Sequence, residues 1–199
     1  MERQDVNKFY QHLHESFCEY GFWHFSMEEP IKAFMLSFLE GCHKYSWQRQ
    51  NMDGHFVGSV FVVTHDYQKI ALLKHKKLQL WLQPGGHVND QDLTIFDTAR
   101  RECLEELGLS SDDLFYLDSK IFDLDLHTIP ATNDLPAHWH LDVRYLLRTT
   151  KQELKNSSES EEVAWFDLDD AKLGRPGDQA TIRVLNKLKK LRDDFHNNW

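Results

Sequence analysis

Three glutamates, Glu102, Glu105 and Glu106, follow Arg101 at positions i, i+3 and i+4 of a stretch whose apolar residues recur at helical spacing. On an α-helix this spacing gathers the carboxylates within an arc of about 100°. Carboxylates held so close repel one another. A hard, oxygen-seeking cation such as Mg²⁺ or Mn²⁺ relieves that repulsion while keeping coordination positions open for phosphate and water. The same spacing also describes a solvated acidic face, so charge pattern by itself leaves a metal shelf and a plain surface both standing.

A second constellation carries imidazole. His138, His140 and Asp142 alternate along one predicted strand, and Asp123, Asp125 and His127 along the preceding one, so each trio shares a face. Strands that are neighbours would bring the two trios together. Histidines at i and i+2 ligate a transition metal or donate hydrogen bonds to phosphate, and His87, beside a glycine turn, stands ready to join them. The alternative is that these rings brace the turn and hydrogen-bond within the sheet. Lys74, Lys76 and Lys77 read as solvated charge, and Arg144 and Arg148 receive no role.

The residues around the glutamates sharpen the first reading. Gly86, followed by Arg101-Glu102-Cys103-Leu104-Glu105-Glu106-Leu107-Gly108-Leu109, resembles the signature of the Nudix hydrolase family, G-x5-E-x7-R-E-U-x-E-E-x-G-U, where U is a bulky aliphatic residue. Two positions depart from it. Asp92 stands where the signature has its early glutamate, with one extra residue between it and Arg101, and Cys103 replaces an aliphatic residue as a small buried hydrophobe. The turn Pro84-Gly85-Gly86-His87 and the later Pro136-Ala137-His138 with His140 resemble a bacterial-type subgroup of the family.

The resemblance implies an α/β/α sandwich around a mixed β-sheet and hydrolysis of a nucleoside diphosphate linked to another moiety. It further implies that Glu102, Glu105 and Glu106 hold Mg²⁺ or Mn²⁺ while Arg101 orients a glutamate by charge-assisted hydrogen bonding. A general base in this family often comes from a later loop; Glu159 is the choice here, with Glu161 and Glu162 beside it and a merely solvated loop as the alternative. Gly86, His87, Asp92, His127, His138 and His140 are candidates for substrate contacts or for a second site, with an additional transition metal at the histidines. Two rival functions stand beside the hydrolase. One is a catalytically weak nucleotide sensor, suggested by Asp92; the other is an isoprenyl diphosphate isomerase, weakened because no cysteine stands beside His87 to serve as proton donor.

Composition agrees with a small-molecule enzyme. The 199 residues are 41% hydrophobic and 13% aromatic, enough for one compact core. The 32 acidic and 23 basic residues give a formal charge of −9, which opposes docking on an extended nucleic-acid backbone. Cys18, Cys42 and Cys103 form no CxxC pair, which points to a reducing cytoplasm and away from a disulfide framework. The opening residues lack an apolar signal core, and Val60-Phe61-Val62-Val63 is far too short to span a membrane.

Periodicity supplies the elements that must position these groups. Helices are expected over residues 6–20 and 30–42, the second with Ser26 and Glu29 as a capping box and Gly41 as a stop. Strands are expected over 56–64, 70–74 and 78–82, then near 120–127, 139–148 and 163–166. The glutamate helix is expected over 94–107, capped by Thr94 with Asp97 in its first turn and ended by Gly108, and a last helix over 179–195. Residues 156–162 read as a solvated loop. The division expected is an N-terminal helical extension over 1–53 packed on a Nudix domain over 54–199. The aromatic faces of the first two helices are taken as core, with a lid or homodimer surface as the alternative.

Overall fold

The computed structural model describes residues 3–21, 28–116, 119–157 and 160–197. Its helices are α1 (Arg3–Glu19), α2 (Glu29–Cys42), α3 (Ile95–Leu107) and α4 (Gln179–Asn197). Its strands are β1 (Gly54–Thr64), β2 (Lys69–His75), β3 (Trp81–Leu82), β4 (Gly85–His87), β5 (Leu114–Tyr116), β6 (Asp123–Ile129), β7 (His138–Thr149) and β8 (Ser160–Asp167). The strand order is β3-β2-β1-β7-β5, with β4 on β1, β6 on β7 and β8 on β2. Neighbours β1/β2, β2/β8 and β6/β7 run antiparallel, Trp81 and Leu173 form a parallel bridge, and the sheet is mixed. Among the described residues no helix is long and apolar enough to cross a membrane.

The contacts group the chain into two compact units, and β1, β7 and α3 each continue from one into the other. The first comprises residues 1–59, 85–100 and 119–145. Phe9, Leu13 and Phe17 of α1 and Met35 and Leu39 of α2 are buried there, and the Phe56 ring lies 5.8 Å from Phe17 and 6.2 Å from Phe38. The apolar stripes of both N-terminal helices thus supply core residues, as their spacing suggested, except that Phe34 of α2 is exposed. Ser26, offered as a cap, lies outside the described residues. Helix α2 starts at Glu29 with Pro30 in its first turn and runs through Gly41, stopping where His43 takes φ of 46°.

The second unit comprises residues 60–84, 101–118 and 146–199. Val60, Phe61, Val62 and Val63 of β1 and Ile70, Ala71, Leu72 and Leu73 of β2 are buried. Strand β8 pairs with β2 from Lys69↔Asp167 to His75↔Ser160. That pairing corrects the expected loop: Ser160, Glu161 and Glu162 are strand residues, because β2 has backbone groups to satisfy and the Glu161 and Glu162 side chains stay exposed while the small Ser160 is buried. Only Trp81 and Leu82 of the strand expected over 78–82 are extended. The preceding residues form a turn in which the backbone N–H groups of Lys77 and Leu78 donate to His75 Nδ1 at 3.2 Å.

Two glycines are forced by their surroundings. Gly108 ends α3 with φ of 63°, the left-handed stop its position announced, and the Lys155 N–H closes on the Leu107 carbonyl at 3.0 Å. Gly58 of β1 lies under the start of α3, where a Cβ would come within 2.7 Å of the Ile95 carbonyl oxygen and 3.1 Å of the Ala99 nitrogen. Both obstacles are backbone, so the helix itself would have to move. Gly58→Ala should therefore destabilise the chain by about 1–3 kcal/mol, read from the urea midpoint; a wild-type midpoint would contradict this close packing.

Candidate functional site

Helix α3 starts as its sequence requires. The Asp97 N–H donates to the Thr94 hydroxyl at 3.1 Å, and the Thr94 N–H donates to the Asp97 carboxylate at 2.9 Å, a reciprocal cap. Asp92 anchors the preceding loop to the helix. Its buried Oδ2 accepts from the Asn89 N–H at 2.8 Å and from the Thr98 hydroxyl at 3.0 Å. The aspartate at the signature's early glutamate position therefore braces the first turn of α3.

Farther along α3, in the second unit, the glutamates differ in exposure. The Glu102 side chain is 15% exposed and that of Glu105 58%, while Glu106 as a residue is 8% exposed. The Arg101 guanidinium donates to Glu102 at 2.7 Å and reaches Glu105 at 3.5 Å. Arg101 thus lies against two of the three carboxylates. Cys103 is fully buried, as a packing residue should be. Glu159 lies outside the described residues. Its neighbour Glu161 accepts from Gln79 at 2.7 Å and pairs with Lys74 at 3.5 Å, which places Lys74 in an ion pair instead of plain solvent.

The imidazoles gather in the first unit. Strands β6 and β7 pair in a register that sets His127 opposite His140, Asp125 opposite Asp142 and Asp123 opposite Arg144. The two alternating trios do converge. Gly86 and His87 lie not in a turn but in β4, where His87 pairs with Val57 and Gly86 with Gly58; a run of glycines carries no β-branched signal, so this strand was not legible. Sequence reasoning also missed His55, whose ring stands 4.9 Å from His140, 5.1 Å from His138 and 5.0 Å from His87. No spacing signal links His55 to residues so distant in the chain.

The rings are held in defined orientations. His55 Nδ1 lies 3.2 Å from the Asn51 carbonyl oxygen, His138 Nδ1 3.0 Å from that of Pro136, and His127 Nδ1 3.0 Å from the Asp125 carboxylate. His55 Nε2 and His140 Nε2 are buried without a hydrogen-bond partner among the described residues, an arrangement that costs about 1–3 kcal/mol for each such group. Burial, reinforced by neighbouring imidazoles, depresses the His140 pKa to about 2. Burial, with His55 and Arg49 nearby, brings His87 to about 4. Burial also lowers that of His55. These three rings are neutral at pH 7 and offer lone pairs. His87 also lines a cleft of about 630 Å³ with Lys44, Trp47, Arg49 and Asn89.

Arg144, to which the sequence assigned nothing, is the electrostatic centre of this unit. Its guanidinium donates to Asp142 at 2.7 Å, to Asp125 at 2.8 Å and to Asp123 at 3.4 Å, and Asp142 also accepts from the Ser59 hydroxyl at 2.6 Å. Burial disfavours its charge, but Asp125, Asp142 and Asp123 outweigh that penalty and hold its pKa above the ordinary value.

Residues 55–186 match the family described as the NUDIX domain, and the chain belongs to that family. A probable DHNTP pyrophosphohydrolase of Lactococcus lactis subsp. cremoris is 35% identical over 96 residues, 47% of this chain and 49% of that protein. A 17.7 kDa protein of Enterobacteria phage T4 is 35% identical over 77 residues, 34% of this chain and 48% of that protein. The chain spans about half the length of the curated relatives it matches. The solved E. coli dihydroneopterin triphosphate pyrophosphohydrolase is alike in fold, with a TM-score of 0.51 and 13% identity over 70% of this chain and 95% of that chain.

Removing the cation at the centre of the aspartate cluster leaves three neighbouring carboxylates without it. Arg144→Met is expected to cost about 3–5 kcal/mol in urea unfolding; a loss below about 1 kcal/mol, the scale of an exposed ion pair, would show that the cluster is not held this way.

Proposed function

We propose that this chain is a metal-dependent Nudix pyrophosphohydrolase that cleaves a diphosphate linkage in a nucleotide-type substrate, with Glu102, Glu105 and Glu106 as metal-holding groups. The observation that carries the reading is the Arg101-centred arrangement on α3: one guanidinium donates to Glu102 at 2.7 Å and reaches Glu105 at 3.5 Å within the family-matched segment. The donor set fits the ion. Three carboxylates on adjacent turns are hard oxygen ligands suited to Mg²⁺ or Mn²⁺ and poorly suited to softer metals.

When bound, such an ion neutralises the diphosphate and lowers the pKa of coordinated water. Arg101 orients Glu102 and offsets carboxylate repulsion before any ion arrives. Glu105, the most exposed of the three, is open to water. Water adds to phosphorus as the bridging P–O bond breaks, the leaving phosphate takes the bond electrons, and the water's proton passes to a carboxylate base. Glu159 is proposed for that role. The three intact helix glutamates favour the hydrolase over a silent sensor, while Asp92, the residue that suggests the sensor, is engaged in bracing the loop before α3.

The substrate proposed is a nucleoside diphosphate joined to another moiety. The names of the relatives add dihydroneopterin triphosphate to the panel of nucleoside triphosphates, nucleotide sugars and dinucleotides that should be assayed. Product release is expected only with Mg²⁺ or Mn²⁺, and Glu106→Gln should lower kcat by at least about 100-fold with its circular dichroism unchanged. Equal turnover in chelator, or full activity of the variant, would contradict the proposal.

A further inference from the structure

We infer that His55, His138 and His140 form a nitrogen-donor site for a divalent transition ion of the Zn²⁺ class, made of residues other than the carboxylates of α3. One ligand atom from each of the three rings lies within 4.8 Å of the other two. A tetrahedral zinc site with Zn–N bonds of about 2.0–2.1 Å sets its nitrogens about 3.4 Å apart, so modest ring rotation closes the set. The ring centroids are already 4.9–5.4 Å apart.

Hydrogen bonding leaves the required lone pairs bare. A carbonyl oxygen only accepts, so His55 Nδ1 and His138 Nδ1 carry the protons they share with Asn51 and Pro136. In the neutral ring Nε2 is then unprotonated. An Nδ1–H donated to a backbone carbonyl is the outer bond by which proteins fix the tautomer of a metal-ligating histidine. His55 is fully buried, and its Nε2, like that of His140, has no hydrogen-bond partner among the described residues. Buried polar atoms are seldom left so. An ion satisfies both at once.

The neighbouring residues complete the argument. Asp125, His127 and Asp142 also have ligand spacing, but Arg144 already occupies both carboxylates at 2.8 and 2.7 Å, so that trio needs no cation. His127, tied to Asp125, stands 5.5 Å from His140 as a wall of the site. His87, 5.1 Å from His140, lines the cleft of about 630 Å³. Imidazole donors select zinc, cobalt, nickel or copper over magnesium. Three protein nitrogens leave a fourth position for water or a phosphate oxygen.

The test is equilibrium binding of Zn²⁺ to the chelator-stripped full chain, by competition with a chromophoric chelator, together with the visible spectrum of the Co²⁺-loaded protein. One equivalent of Zn²⁺ and the intense absorption of four-coordinate Co²⁺ are expected. His138→Gln/His140→Gln should weaken Zn²⁺ binding by at least about 100-fold, whereas Glu102→Gln/Glu105→Gln/Glu106→Gln should retain it. Should the histidine variant fail to fold, ring ¹⁵N spectra of the unaltered chain decide: Zn²⁺ must shift the Nε2 resonances of His55, His138 and His140. Unchanged ring resonances, unchanged affinity in the histidine variant, or loss of Zn²⁺ binding in the glutamate variant would overturn the inference. None of these readouts depends on hydrolysis, so a failure of this site and a failure of the proposed activity are separately visible.

Discussion

The buried guanidinium of Arg144 is the interaction on which the histidine-bearing unit depends. Three aspartates on two adjacent strands would repel one another in a low-dielectric interior, and Arg144 converts that repulsion into a set of charge-assisted hydrogen bonds. A shift of one residue between β6 and β7 would send each alternating side chain to the other face. It would part Arg144 from the carboxylates, so the charge cluster and the strand register enforce each other. The same register sets His127 opposite His140, and Asp125 then fixes the His127 ring.

A similar economy governs the carboxylate helix. The reciprocal cap between Thr94 and Asp97 starts α3, Asp92 ties its first turn to the loop before it, and Gly108 stops it with a left-handed residue. Between these ends Arg101 lies against Glu102 and Glu105. Acidic residues that would destabilise an isolated helix are thus held ready by a cation of their own helix. The two donor sets are chemically different: oxygen donors on α3 suit hard ions, and neutral imidazoles suit softer ones.

What could be read from the sequence was what is encoded locally. The i, i+3, i+4 glutamates, the cap at Thr94 and the stop at Gly108 depend on residues within two helical turns, and each stands where periodicity put it. The facing of His138 with His140, and of Asp125 with His127, follows from the two-residue period of a strand. His55 and Arg144 were not legible because their roles depend on long-range pairing: His55 meets the other rings only once β1, β4, β6 and β7 are assembled. β4 escaped notice because glycine lacks the side chains that mark a strand, and the start of β8 because Ser160, Glu161 and Glu162 have the composition of a loop while their backbone pairs with β2.

The central claim, that the glutamates of α3 hold a hard divalent ion, is tested most directly by electron paramagnetic resonance of Mn²⁺ titrated into the chain. The unaltered protein should quench the sharp signal of free Mn²⁺ until its site is filled, and the chain carrying glutamine at positions 102, 105 and 106 should leave that signal intact. Identical titration curves for the two would contradict the account.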